Sequence, residues 1–261
     1  MDPLLKTEHL TIFYDSQPVV RDICFTLQKG EILGIVGESG SGKTSIIKGI
    51  MGLTQNGMEI QGDIWFQGER LTKMSAKEMR KLLGPRIGMV FQDCKASLCP
   101  VRKVGDQICE SINQHERVSE KQILARTEEL MSRVGLTDFR RIWNSYPFEL
   151  SGGMNQRVGI CMAMLQKPSL LLADEPTSAR DVTVQKQVVE EMLFLRREYG
   201  TAMIIVTHNM GIVSKLADSI LVLKEGQQMD YGPSDLILNH SQDPYTKNLM
   251  DSVLHLRRKK R

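Results

Sequence analysis

Gly37-Glu38-Ser39-Gly40-Ser41-Gly42-Lys43-Thr44 follows the pattern G-x-x-x-x-G-K-[S/T]. Glycines at these places let backbone N–H groups turn in on phosphate oxygens with no Cβ in the way, and the start of a following helix adds the positive end of its dipole. Lys43 is placed to reach the β- and γ-phosphates of a nucleotide as a point charge, and the Thr44 hydroxyl to ligate Mg²⁺. Kinases, GTPases, helicases and transport ATPases share such a loop, so it names a ligand class and not an activity.

A second cluster follows the apolar run Leu170-Leu171-Leu172-Ala173, which ends in Asp174-Glu175 before Pro176. Two carboxylates at the end of a buried parallel strand suit phosphoryl chemistry. Asp174 is read as holding the Mg²⁺ shell, and Glu175 as orienting or deprotonating a water in line with the γ-phosphate. A third segment, Leu150-Ser151-Gly152-Gly153-Met154-Asn155-Gln156-Arg157, reads as another helix start, with Ser151 as the cap and the glycines leaving N–H groups bare for an anion.

These groups need a scaffold of strands and helices. Residues 10–14 and 23–27 read as strands of a pleated surface. Residues 32–36, 87–91, 169–173 and 203–206 are short apolar runs, the pattern of parallel strands buried on both faces, and helical segments between them make the chain α/β. From about residue 100 to 150 the apolar runs give way to charged helical patterns, Val104 to His115 and Ser119 to Val134, the second starting with Ser119 ahead of Gln122. Two further helical patterns, Ser234 to Asn239 and Tyr245 to Leu256, precede a basic tail.

Composition bounds the partners. With 261 residues, 41% hydrophobic and 25% charged, the chain has the make-up of a globular protein. Of the net +3, the last five residues, Arg257 to Arg261, supply five positive charges, which leaves −2 on the rest. That balance argues against a nucleic-acid partner, which requires basic residues gathered on a folded face. The tail reads either as solvated or as a contact for anionic lipid. No apolar stretch approaches the ~18 residues of a membrane span, and the N-terminus lacks a basic segment followed by an apolar core, so a cytoplasmic location is expected. Five cysteines without a C-x-x-C pair predict mostly buried, reduced thiols.

Together these motifs resemble those of ATP-binding cassette (ABC) ATPases. The segment Leu150 to Arg157 is similar to the family's signature, in the form found mainly in the dipeptide, oligopeptide and nickel importer branch. The resemblance covers nearly the whole chain. It implies a P-loop ABC ATPase fold with a RecA-like core, an antiparallel β subdomain and an inserted α-helical subdomain. The whole of residues 1–261 would form one such domain, the helical subdomain spanning about 100–165 and a C-terminal helical extension about 233–261.

The resemblance further implies that Tyr14 stacks on adenine, that Gln92 is the Q-loop glutamine sensing Mg²⁺ and water, and that His208 contacts the γ-phosphate. Ser151, Gly152, Gly153 and Gln156 would act across a head-to-tail dimer, with Asp181 in the D-loop linking the two sites. Two departures stand out. Arg180 replaces the usual D-loop leucine, and Cys94 and Cys99 stand where proline and asparagine are usual in the Q-loop; these cysteines read as packing groups, with a redox or metal pair as the alternative. Asp243-Pro244-Tyr245-Thr246 is similar to the His-Pro-Tyr-Thr segment of the same branch.

The function implied is ATP hydrolysis with Mg²⁺ that powers an importer for nickel or other metal chelates or for short peptides, the absence of cysteines after Cys161 tilting the reading toward metal. Two integral membrane permease subunits, a second ABC ATPase subunit and an extracytoplasmic substrate-binding protein would complete the complex, with this chain peripheral on the cytoplasmic face. The alternatives are a soluble ABC ATPase acting in nucleic-acid repair or translation, and a regulatory cassette paired with an active one. The intact Lys43, Asp174, Glu175 and His208 argue against the last.

Overall fold

A computed structural model describes residues 2–54, 57–176 and 182–250. Ser178, Ala179, Arg180 and Asp181 of the expected D-loop lie outside the described residues, as does the tail Arg257 to Arg261. The chain divides into two compact units, Met1–Met79 with Ala202–Arg261, and Arg80–Thr201.

The first unit opens with β1 (Leu5–Tyr14) and β2 (Gln17–Leu27), an antiparallel hairpin turning at Asp15 and Ser16. Both turn residues have positive φ, 46° and 64°, the backbone of a two-residue turn whose twist matches that of the strands. Next come β3 (Ile32–Gly37), α1 (Lys43–Ile50), β4 (Met58–Phe66), β5 (Glu69–Arg70) and α2 (Ala76–Leu82), the last crossing into the second unit. The second unit holds β6 (Ile87–Val90), α3 (Cys94–Ser97), α4 (Val104–Asn113), α5 (Glu120–Arg133), α6 (Phe139–Asn144), α7 (Gly152–Met164), β7 (Leu170–Asp174) and α8 (Val182–Tyr199). The chain then returns to the first unit with β8 (Ala202–Thr207), α9 (Met210–Leu216), β9 (Ser219–Lys224), β10 (Gln227–Pro233) and α10 (Ser234–His240), followed by helical turns over 244–250.

Strand order in the first unit is β5-β4-β1-β2-β10-β9-β3-β8. Its β5, β4, β1 and β2 are joined antiparallel, whereas β3 runs parallel to both β8 and β9. Every residue of β3 and β8 is buried, as the unbroken apolar runs require of strands covered on both faces. The covering layer includes α9: a Cβ on Gly34 would come within 2.5 Å of Val213, so only glycine allows this helix to lie so close to β3. Val36, Val213, Ile220, Val222, Ile237 and Met250 form one buried cluster under that layer. In the second unit β6 and β7 pair in parallel, and β7 is buried throughout. The start of α5 is as the sequence indicates, with the Gln122 side chain accepting from the Ser119 N–H at 3.0 Å.

Several elements differ from the sequence reading. β1 begins at Leu5, five residues before the expected strand, and β4 is a strand where the sequence reading has none, whereas α8 fills the helical segment expected between the apolar runs at 169–173 and 203–206. The cysteines are less buried than expected: Cys94 and Cys161 are buried, Cys24 and Cys109 are half-buried and Cys99 is exposed. Three of the five therefore have access to solvent. Among the described residues no helix is long and apolar enough to cross a membrane.

Candidate functional site

In the first unit β3 delivers the chain directly into the glycine-rich loop, and α1 starts at its end. The α1 N-cap is Gly42, at φ 98° and with no capping side chain, so no side chain competes for the helix's first N–H groups. The loop is tightly determined. Lys43 is buried, and its ammonium donates to the Gly37 carbonyl at 2.9 Å and the Glu38 carbonyl at 2.7 Å. The Ser41 carbonyl accepts from the Gly226 N–H at 3.2 Å, and a Cβ on Gly42 would meet the Val19 carbonyl at 2.7 Å. Glu38, Ser39 and Gly40 are exposed at the crest, and a Cβ on Gly40 would meet nothing within 4 Å.

Gly37 has the strictest requirement: at φ 154° its Cβ would run into the Leu223 carbonyl oxygen of the neighbouring strand. We expect Gly37→Ala to cost about 2 kcal/mol or more of folding stability, since backbone and not a flexible side chain is in the way. Urea unfolding measures this, and an unchanged midpoint would contradict it.

Two further expected residues belong to this unit. Val36 pairs with Thr207 across β3 and β8, so the exposed His208 continues β8 at the level of Gly37, where the loop begins. Thr207 and Asn209 hold that position: the buried Thr207 hydroxyl accepts from the Asn209 N–H at 3.0 Å, and the Asn209 side chain caps α9. Tyr14 ends β1 at the hairpin tip, half-buried, on the same hairpin as Val19, which packs under the loop. Two neighbours of the loop are Tyr245, which the sequence marks only as part of the Asp243-Pro244-Tyr245-Thr246 segment, and Lys224, which no motif includes. Lys224 follows Leu223, which pairs with Gly37, and its ammonium lies 4.9 Å from the Tyr245 ring centre. Burial pushes the Tyr245 hydroxyl up, with Glu38 as its charged neighbour.

In the second unit the last ladder pair of β6 and β7 is Val90 with Ala173, so Gln92 and Glu175 each stand two residues beyond it at one strand edge. Asp174 is buried and Gln92 exposed. Glu175 has φ 47°, the left-handed region that a non-glycine residue adopts only where its surroundings impose it. Buried β7 on one side and buried Pro176 on the other hold the backbone there, and with it the Cα–Cβ direction of Glu175.

The signature segment starts α7 as expected. Ser151 accepts from the Met154 N–H at 3.3 Å, Ser151 and Gly152 are exposed, and Gly153 is half-buried. Gln156 is buried, on the inner side of the helix. Asn155, which no motif singled out, anchors this start: its side-chain amide donates to the carbonyls of Pro147, Leu150 and Ser151 at 2.9, 3.2 and 3.3 Å. Cys94 lies against α7, where a Cβ on Gly159 would come within 2.8 Å of its sulfur. Burial pushes the Cys94 thiol up to about 11, as befits a packing group and not a thiolate. Cys99 is exposed.

Arg157, last of the segment, bonds to Glu191 of α8 at 2.9 Å and to Gln187. Burial pushes the Glu191 carboxyl up to about 7, more than Arg157 pulls it down, and its second oxygen has no hydrogen bond. A carboxyl raised from 4.5 to about 7 is neutral in both states at low pH, so it opposes folding progressively as pH rises through that window, by at most about 3 kcal/mol. We expect Glu191→Gln to flatten the fall in unfolding free energy between pH 5 and pH 8. Parallel pH curves for the variant and the parent would contradict that assignment.

Residues 20–178 match the family described as ABC transporter, a span of more than half the chain. The chain belongs to the ABC transporter family. It is 38% identical over 260 residues to the Oligopeptide transport ATP-binding protein OppD of Haemophilus influenzae, across 98% of this chain and 80% of that protein. Over 251 residues it is 39% identical to the Metal-staphylopine import system ATP-binding protein CntD of Staphylococcus aureus, across 95% and 93%. Among solved structures, cbiO1 of Clostridium perfringens, part of the ABC transporter complex cbiONQ, matches with a TM-score of 0.79 at 26% identity, covering 99% of this chain and all of that one. The ATP-binding cassette MJ0796, a dimer bound to ADP and Pi, shares the fold with a TM-score of 0.77 at 24% identity, over 88% and 98% of the two chains. The chain therefore has the P-loop ABC ATPase fold, and as an ABC ATPase it binds and hydrolyses ATP.

Proposed function

We propose that this ABC ATPase powers an importer, with the importer-type relatives matched over more than nine-tenths of the chain as the observation that carries the reading. Two integral membrane permease subunits and a second ATPase subunit are its partners, an extracytoplasmic binding protein delivers the cargo, and the chain sits peripherally on the cytoplasmic face. The cargo is a short peptide or a metal chelate. Relatives named for oligopeptide transport and for metal-staphylopine import are matched about equally well, at 38% and 39% identity.

The residues support a specific division of labour. The loop from Gly37 to Thr44 cradles the phosphates, Lys43 sets its ammonium against the β- and γ-oxygens, and Tyr14 carries the adenine. The chemistry of each expected ligand suits Mg²⁺, since the Thr44 hydroxyl, the Asp174 carboxylate and the Gln92 amide oxygen are all hard oxygen donors. When bound, Mg²⁺ neutralises the negative charge of the phosphates. Glu175 orients the attacking water and takes its proton, and His208 donates to the γ-phosphate. Ser151, Gly152 and Gly153, with Gln156 supporting them from within, present the start of α7 to the nucleotide of a second subunit, and Asp181 links the two sites. ATP binding would hold the paired state and hydrolysis would reset it. One domain spans residues 1–261 in this reading.

Cargo uptake by cells that carry Lys43→Ala in place of the native chain tests the import reading. Uptake of labelled short peptides or of chelated nickel should fall to background, and whichever falls identifies the cargo class. Unchanged uptake of both would contradict it.

A further inference from the structure

His9, Asp22 and Cys24 meet on the antiparallel strands of the first unit. A ring nitrogen of His9, an Asp22 carboxylate oxygen and the Cys24 sulfur all lie within 4.8 Å of one another. A regular two-strand pleat would not gather them, because successive side chains point to opposite faces. Here the ladder shifts register three times, twice beside these residues. Between the pairs Thr7 with Phe25 and Leu10 with Ile23, β1 has two residues against one, and between Leu10 with Ile23 and Ile12 with Val20 the excess passes to β2. His9 and Asp22 occupy these bulges at φ 50° and 53°. On the other side of β1 the ladder slips again opposite Gly62, where a Cβ would collide with the His9 carbonyl. Three aligned irregularities therefore turn His9 and Asp22 outward beside Cys24, an effect bulges commonly have.

Hydrogen bonds gather the three side chains at one spot. His9 Nδ1 and an Asp22 oxygen are 2.7 Å apart, and the Cys24 sulfur accepts from the His9 N–H at 3.2 Å. The Thr11 hydroxyl accepts from the Asp22 N–H at 3.0 Å, and the Gln228 side chain accepts from the Cys24 N–H at 3.2 Å, so the strand positions on both sides are tied down. Tetrahedral coordination at metal–ligand distances of about 2.0–2.3 Å sets the donors roughly 3.3–3.8 Å apart, so an ion would replace the His9–Asp22 contact of 2.7 Å and part those two side chains by less than about 1.5 Å. The His9 and Asp22 side chains are 81% and 74% exposed, which leaves an entry path and room for water as a fourth ligand.

We propose that His9, Asp22 and Cys24 form a surface site for a borderline divalent cation of the Zn²⁺ class, separate from the Mg²⁺ that accompanies ATP. One sulfur, one imidazole and one carboxylate select such an ion over Mg²⁺, which takes oxygen ligands and keeps its waters. On binding, the Cys24 thiol gives its proton to solvent as the metal–sulfur bond forms, and neutral His9 supplies its ring nitrogen.

Cobalt(II) serves as the spectroscopic probe on the full chain with MgATP in excess. The expected result is a thiolate-to-cobalt absorption band that saturates at one equivalent and is displaced by one equivalent of Zn²⁺. Cys24→Ser should abolish the band, and His9→Ala and Asp22→Asn, both at exposed side chains, should each weaken cobalt binding at least tenfold. Cys99→Ser, which removes the one fully exposed thiol among the described residues, should leave the band intact. No band in the parent chain, a band retained in Cys24→Ser, or one lost in Cys99→Ser would each overturn the site.

Discussion

Glu175→Gln is expected to lower steady-state phosphate release by at least about a hundredfold, the scale of a positioned general base, while ATP affinity stays within a few-fold of the parent. The amide keeps the shape and hydrogen-bonding reach of the carboxylate but cannot accept the water's proton. The backbone gives the substitution its specificity. With φ at 47° between the buried end of β7 and buried Pro176, the backbone is held by the chain, so the near-isosteric amide introduced by Glu175→Gln leaves the same Cα–Cβ direction. The variant should therefore bind ATP, close with its partner subunit and stay closed. Phosphate release and nucleotide retention, measured side by side, separate this from simple misfolding. Turnover at the parent rate would remove Glu175 from the chemistry.

Lys43→Ala should act one step earlier, on binding. The ammonium sits inside the loop on the Gly37 and Glu38 carbonyls, so its loss removes both the charge meant for the phosphates and two ties that shape the loop. We expect ATP affinity to fall about a hundredfold or more, as for loss of a preorganised, charge-assisted phosphate contact, and hydrolysis to fall with it. Adenosine, which offers no phosphate, should bind the variant as it binds the parent. That contrast assigns the loss to phosphate recognition. ATP affinity within twofold of the parent would contradict the role given to Lys43.

What the sequence disclosed was what lies contiguous in it. The loop from Gly37 to Thr44 needs only neighbouring residues to take its shape, and β3, β7 and β8 are buried on both faces, so each reads as one unbroken apolar run. The start of α5 was legible because Ser119 and Gln122 satisfy each other locally.

Hidden features are those decided by distant partners. β4, Met-Glu-Ile-Gln-Gly-Asp-Ile-Trp-Phe, has an irregular apolar pattern with Gly62 at its centre, and that glycine makes sense only against the bulge at His9 on the next strand. Asn155 is an ordinary polar residue until three carbonyls from the preceding turn converge on it. Glu191 resembles the other acids of its helix until burial and Arg157 distinguish it. The positive φ of Glu175, His9 and Asp22 is invisible in residues that are not glycine. Cys94 shows the converse: its place in the Q-loop motif raised a redox or metal reading, and packing against Gly159 explains it as a small buried group.

Affinity purification of the tagged chain from detergent-solubilised membranes tests the transport reading most directly. The account predicts two integral membrane proteins and an ABC ATPase subunit recovered with it, retained more firmly when Glu175→Gln is loaded with MgATP. Recovery instead with ribosomes or DNA-repair factors, and without membrane subunits, would contradict it.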